Sequence, residues 1–186
     1  MNQKNLASLK LEIQLAAKNG INFICAASLV WLLISIIWTL DYSSYDKSVF
    51  TFIVGSLLLP LAYLFSKLLK TKWVVKDNPL QPLGLWLNFA QLIYFPFLIF
   101  ILISDPDYFV MTYAIITGAH FFPYAWFYDE KGYAIWAVLI SVGSLILALA
   151  VEPATMSIIP LFVSVMMATL GGKILIGLRS LNSKNI

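Results

Sequence analysis

One histidine stands among aromatic and hydroxyl side chains inside an otherwise apolar run. Tyr113, Thr117, His120 and Tyr124 recur every three or four positions, the spacing of one helix face. Gly84, Asn88, Gln91 and Phe95 form a similar stripe in the preceding run. A histidine titrates near neutral pH and can act as a switch or proton carrier. The bland reading is a neutral imidazole bonded to a nearby amide or carbonyl. Asn88 and Gln91 carry both donors and acceptors, so they suit either a polar ligand or interhelical hydrogen bonds worth about 0.6 kcal/mol each.

The missing groups narrow the chemistry. No Asp or Glu lies in mid-run: Asp41, Asp46, Asp105, Asp107 and Glu152 fall at one set of ends, and Glu12, Asp77, Asp129 and Glu130 at the other. A proton-coupled pump usually needs a carboxylate at depth. No second His or any suitably placed Cys completes a zinc site with His120. No nucleophile, base and orienting acid can be assembled at one level, and no run carries the repeated Arg of a voltage sensor. The pattern points to ligand binding at Asn88, Gln91, Thr117, His120 and Tyr124. No catalytic residue, metal or cofactor is assigned.

Composition dictates what positions these groups. Of 186 residues, 61% are hydrophobic and 11% charged, against about 25% charged in a soluble domain. Lipid must therefore solvate most of the surface. No basic run or patch marks a nucleic-acid partner. The lone Cys25 cannot form an internal disulfide and reads as a small buried hydrophobe.

A spanning helix needs about 20 mostly apolar residues. Six runs qualify: 21–40, 48–69, 83–103, 108–128, 133–151 and 154–178. The first is too long for a secretory leader and lacks a small-residue cleavage site. Short polar separators imply antiparallel neighbours in one bundle, and alternating barrel strands are absent. With the N-terminus inside, Lys4, Lys10, Lys18, Lys67, Lys70, Lys72, Lys76, Lys131, Lys173, Arg179 and Lys184 all fall inside, and only Lys47 outside. That asymmetry places both ends in the cytoplasm. The expected fold is all-α: a polytopic bundle of six transmembrane helices (21–178), preceded by a short cytoplasmic amphipathic helix (1–20) ending at Gly20 and followed by a cytoplasmic tail (179–186). The first helix either lies on the membrane surface or packs under the bundle.

Pro60, Pro96, Pro123 and Pro160 each remove a backbone hydrogen bond and predict kinks, which transporters use to build sites at depth. Small pairs at i, i+4, namely Ala114 and Gly118, Ser144 and Ala148, and Ala168 and Gly172, predict close helix contacts. Trp31, Trp38 and Tyr42 read as anchors near the outer boundary. Tyr124, Trp126 and Tyr128 read as an interfacial belt, or as an aromatic pocket beside His120.

The stretches DNPLQPLGLWLNFAQLIYFP, TGAHFFPYAWFY and LLLPLAYLFSKLL resemble a family of small bacterial membrane proteins of unknown function, along most of the chain. The resemblance implies a multi-pass protein of the bacterial plasma membrane and supplies no activity. The residues themselves favour a protein that binds or transports a small molecule between the third and fourth runs. The alternatives are a non-catalytic membrane subunit or scaffold, alone or as a homo-oligomer, and an intramembrane lipid-modifying enzyme or isomerase with His120 as acid or base. The last would need Asp105 or Glu152 folded in beside His120.

Overall fold

The computed structural model of the chain describes residues 5–184, with side chains up to residue 180. Lys4, counted above, lies outside the described residues. Among those described there are only helices: α1 (Leu6–Ala17), α2 (Ile21–Thr39), α3 (Ser44–Gly55), α4 (Leu58–Leu69), α5 (Gln81–Leu92), α6 (Phe95–Ser104), α7 (Phe109–Phe121), α8 (Tyr124–Phe127), α9 (Gly132–Ala150) and α10 (Ile158–Lys184), with short 3-10 turns between some of them.

Local chemistry sets the ends. Asn5 caps α1 by accepting from the Ser8 N–H at 2.8 Å. Ser43 caps α3 by accepting from the Asp46 N–H at 3.1 Å, and its hydroxyl donates back to the Asp46 carboxylate at 2.6 Å. α1 stops where Lys18, Asn19 and Gly20 adopt φ of 48°, 51° and 70° in succession. Three left-handed residues turn the chain sharply into α2, and Gly20 alone among them lacks a Cβ. A Cβ there would meet the Tyr128 hydroxyl at 3.0 Å.

The prolines act as their backbone chemistry requires, at three of four places. Before Pro60, Ser56 and Leu57 tighten to bonds with Ile53 and Val54. Before Pro96, Ile93 and Tyr94 bond to Ala90 and Gln91, and Phe122 beside Pro123 bonds to Ala119. Each is a 3-10 turn that joins two helical pieces. Pro160 is different. It falls in the first turn of α10, where the N–H it lacks would have had no helical partner.

Five helical stretches are long and apolar enough to cross a membrane: Leu6–Thr39, Ser44–Leu69, Gln81–Ser104, Gly132–Ala150 and Pro153–Ser180. The sixth long helix, α7 with α8, is not among them. Thr112, Tyr113, Thr117, His120 and Tyr124 dilute its apolar character, and it can tolerate them because most of it is buried in protein.

The packing explains that burial. α2 lies along α10, and α7 along α9; α4 adds to α2, and α9 meets α10. Ser28 and Ser164 donate to each other's backbone carbonyls across α2 and α10, at 3.0 and 2.8 Å. Ser35 reaches the Ser157 carbonyl at 3.2 Å, and Asn22 reaches Ala62 of α4 at 3.2 Å. On the other side, Ser141 of α9 donates to Ile115 of α7 at 3.2 Å. Gly118 makes that approach possible: a Cβ would meet Ser141 Oγ at 2.5 Å and the Ser141 backbone nitrogen at 2.9 Å. These are small residues admitting close backbones and hydroxyls bonding across helices, the means by which helices associate in lipid.

Two sequence expectations are corrected here. Ala114, Gly118, Ser144 and Ala148 are buried as expected, but Ala168 and Gly172 point outward, and the Leu170, Gly171 and Ile174 side of α10 packs instead. Gly171 faces Ile21 and Ile24 of α2. Trp31 and Trp38 are core residues, 3% and 2% exposed, rather than boundary anchors. The Trp38 indole N–H donates to Thr51 Oγ1 at 3.0 Å, so its polar edge is satisfied inside the bundle. Only Tyr42 of the three is exposed.

Candidate functional site

The two polar stripes belong to α5/α6 and α7/α8, which run antiparallel. Two contacts fix their register. The rings of Phe95 and Tyr113 lie 6.4 Å apart, and Gly84 sits under the Phe127 ring, 2.9 Å from where its Cβ would be. Gln91, four residues before Phe95, therefore stands level with residues about 117 to 119 of the neighbour. The register brings Gln91, Thr117 and His120 to one depth.

Their environments differ. Thr117 is buried and its hydroxyl has no hydrogen-bond partner. Tyr124 is buried with its hydroxyl in the same condition. His120 is half-buried, with its ring edge-on to Tyr124 at 5.2 Å and tilted against Phe121 at 5.9 Å. Gln91 is half-buried on the inward side of α5. Asn88 lies at the edge of that side and is exposed; its amide N–H donates back to the Gly84 carbonyl at 2.9 Å. Asn22 does not join the group, because Ala62 takes its amide. Tyr113 packs among Trp31, Phe109 and Phe95, with ring centroids 5.1, 6.3 and 6.4 Å away.

α5 has no buried residue, and α6 buries only Leu98. The candidate residues of α7/α8 therefore have a lightly packed helix for a neighbour. Two open concavities of about 370 and 380 Å³ lie elsewhere: one between α6 and α7 near Asp105 and Tyr108, the other beside Phe122 and Val138.

Neither carboxylate that would pair with His120 for acid–base chemistry stands beside it. Asp105 precedes α7 and is exposed, roughly 20 Å along the axis from His120. Glu152 is exposed in the connection after α9. Among the described residues, no three His, Cys, Asp or Glu gather as a metal set.

The structure adds a cluster that sequence reasoning missed, at the end of the bundle where α1 lies. Tyr133 donates from its hydroxyl to the Asn19 carbonyl at 2.5 Å. Gln14 donates to the Tyr128 carbonyl at 2.6 Å. The rings of Tyr124, Tyr128 and Tyr133 lie within 5.9 Å of one another. Glu130 pairs with Lys173 and accepts from the Gly132 N–H at 2.8 Å. α1 is therefore tied beneath the bundle. Lys72 N–H donates to Ala16 at 2.8 Å, and Asn78 to the Leu9 carbonyl at 2.9 Å. Lys10 lies 3.7 Å over the Trp126 ring. The aromatic run thus splits: Trp126 is exposed, while Tyr124 and Tyr128 are buried. The sequence signals are Tyr124 and Tyr128, which read as a belt or an aromatic pocket, and the Gly20 helix end; neither points to Gln14, Asn19 or Tyr133.

A model of a family of unknown function (DUF7010) matches residues 6–176. The chain belongs to this family. No curated protein and no solved structure matches it. The DUF7010 match takes in α1 and nearly the whole bundle, so the candidate residues and the α1 cluster both fall inside it. It bears out the resemblance to a family of unknown function and carries no activity with it.

Proposed function

We propose that this DUF7010 chain is a six-span plasma-membrane protein of a bacterial cell, with both ends cytoplasmic, that binds or transports a small molecule between α5/α6 and α7/α8. The orientation rests on charge. Lys10, Lys18, Lys67, Lys70, Lys72, Lys76, Lys131, Lys173 and Arg179 all belong to the α1 end, and Lys47 to the opposite one. α7/α8, too polar to face lipid, crosses as the enclosed sixth helix.

The observation that supports binding is the pair of buried hydroxyls on Thr117 and Tyr124 that bond to nothing. A buried hydroxyl without a partner costs about 1–3 kcal/mol, more so where no water reaches. A ligand that hydrogen-bonds there recovers that cost. Gln91 and His120 at the same level supply further polar contacts, and Asn88 stands at the rim.

The test is a ligand screen by thermal shift on purified protein, followed by Thr117→Val, Tyr124→Phe and His120→Ala. Ligand-free Thr117→Val and Tyr124→Phe should be as stable as wild type or more so, and each should weaken the ligand about tenfold or more. If no ligand's binding depends on any of Asn88, Gln91, Thr117, His120 and Tyr124, the site is elsewhere.

A second reading is a membrane subunit or homo-oligomer. One observation favours it: Asn88 exposes a carboxamide on the outside of the bundle at lipid depth, where polar groups are costly. A partner helix covering Asn88 would remove that cost. Asn88→Leu would then dissociate an oligomer seen by crosslinking in membranes; an unchanged monomer would dispose of this reading.

A further inference from the structure

We propose that the surface formed by the end of α4 and the connection to α5 is a binding site for an anionic phospholipid. The proposal is independent of the α7 site. Four lysines, Lys67, Lys70, Lys72 and Lys76, fall within ten residues, and all are exposed. None forms an ion pair with a carboxylate among the described residues. Lys67 lies in the last turn of α4 and Lys70 caps it, where the helix dipole favours positive charge, but other groups bond the carbonyls there. Lys18 donates to the Leu69 carbonyl at 2.7 Å, and the N–H groups of Lys70 and Thr71 both take the Ser66 carbonyl. Their charge is left for something outside the chain.

The apolar half of the surface adjoins the charge. Leu64 and Leu68 are exposed on α4, and Val74 is exposed between Lys72 and Lys76. Trp73 sits between the two halves, its ring 5.1 Å from Phe23 and 6.1 Å from Tyr63, with one side still exposed. Lys67 holds its ammonium 4.9 Å over the Tyr63 ring. An aliphatic flank, an aromatic at the junction and a basic rim match an amphiphile whose head carries phosphate and whose tails are hydrocarbon. A soluble polyanion would have no use for the flank, and a zwitterionic lipid would leave the charge unbalanced. Juxtamembrane lysines attract anionic lipid with about a fivefold gain each.

The experiment uses the full chain in detergent micelles doped with phosphatidylglycerol or phosphatidylcholine, with bound lipid counted by native mass spectrometry. Wild type should retain phosphatidylglycerol at least about tenfold better than phosphatidylcholine. Lys70→Gln with Lys72→Gln should lower that retention about tenfold or more. A control pair of equal charge loss, Lys131→Gln with Arg179→Gln, should change it less than about twofold. Lipid-free unfolding midpoints show whether each variant is folded; Lys67→Gln with Lys76→Gln repeats the test if the first pair is not. Equal losses from both pairs would mean general attraction by net charge and would overturn the site. So would equal retention of the two lipids, or protection by glycerol phosphate matching that by phosphatidylglycerol.

Discussion

α5/α6 and α7/α8 are neighbours of similar length with opposite properties. α5/α6 is long and strongly apolar and buries a single residue, Leu98. α7/α8 is interrupted by hydroxyls and a histidine, yet it buries Phe109, Val110, Ala114, Thr117, Gly118 and Phe121 against α9 and the rest of the bundle. In water the apolar helix would be the inner one. In lipid the rule inverts: the hydrocarbon can solvate α5/α6, and only protein can satisfy α7/α8. Trp86 and Ile93 on α5/α6 are exposed, as apolar residues facing lipid would be.

The contrast can be broken first at Gly118. Gly118→Ala should cost about 1–3 kcal/mol by forcing α7 from α9, read as a lowered unfolding midpoint in detergent. Tyr133→Phe comes next. It removes the donor to Asn19 in the buried cluster, at about 1–1.5 kcal/mol. Ser164→Ala removes one of two reciprocal bonds to α2 and should cost about 0.6 kcal/mol. Ile93→Leu on the exposed side of α5/α6 should stay within about 0.5 kcal/mol of wild type. If Ile93→Leu costs as much as Gly118→Ala, the outer helix is packed against something and the comparison fails. Equal, small losses at Gly118 and Ile93 would instead show that α7 is not closely held.

The same contrast explains what could be read from the chain. The apolar runs were legible because length and hydropathy alone report them, and five stretches meet those demands. The antiparallel pairing of runs 83–103 and 108–128 was also legible, since only four residues, 104–107, separate them. Direction around the helix axis was not. Trp38 looked like a boundary anchor because nothing in its own neighbourhood shows that Thr51 will accept its N–H. Ala168 and Gly172 looked like a contact pair, while the packed side of α10 lies about one position away. Asn88 and Gln91 share a stripe on paper, yet one is exposed and the other turned inward. The α1 cluster joins residues more than a hundred positions apart, which no local pattern encodes.

The ties of α1 have a consequence for how the protein is made. Chains emerge from the ribosome N-terminus first, so α1 appears before every group that holds it. Lys72 and Asn78 follow only after α2 to α4, and Tyr128 and Tyr133 only after α8. Until then the Asn19 carbonyl of the Lys18–Asn19–Gly20 bend lacks the Tyr133 hydroxyl, and only Lys18, through the Leu69 carbonyl, ties the bend to an earlier helix. The full set of ties on α1 is therefore complete only after Tyr133 has been made, so the seating of α1 tightens in steps as the chain grows.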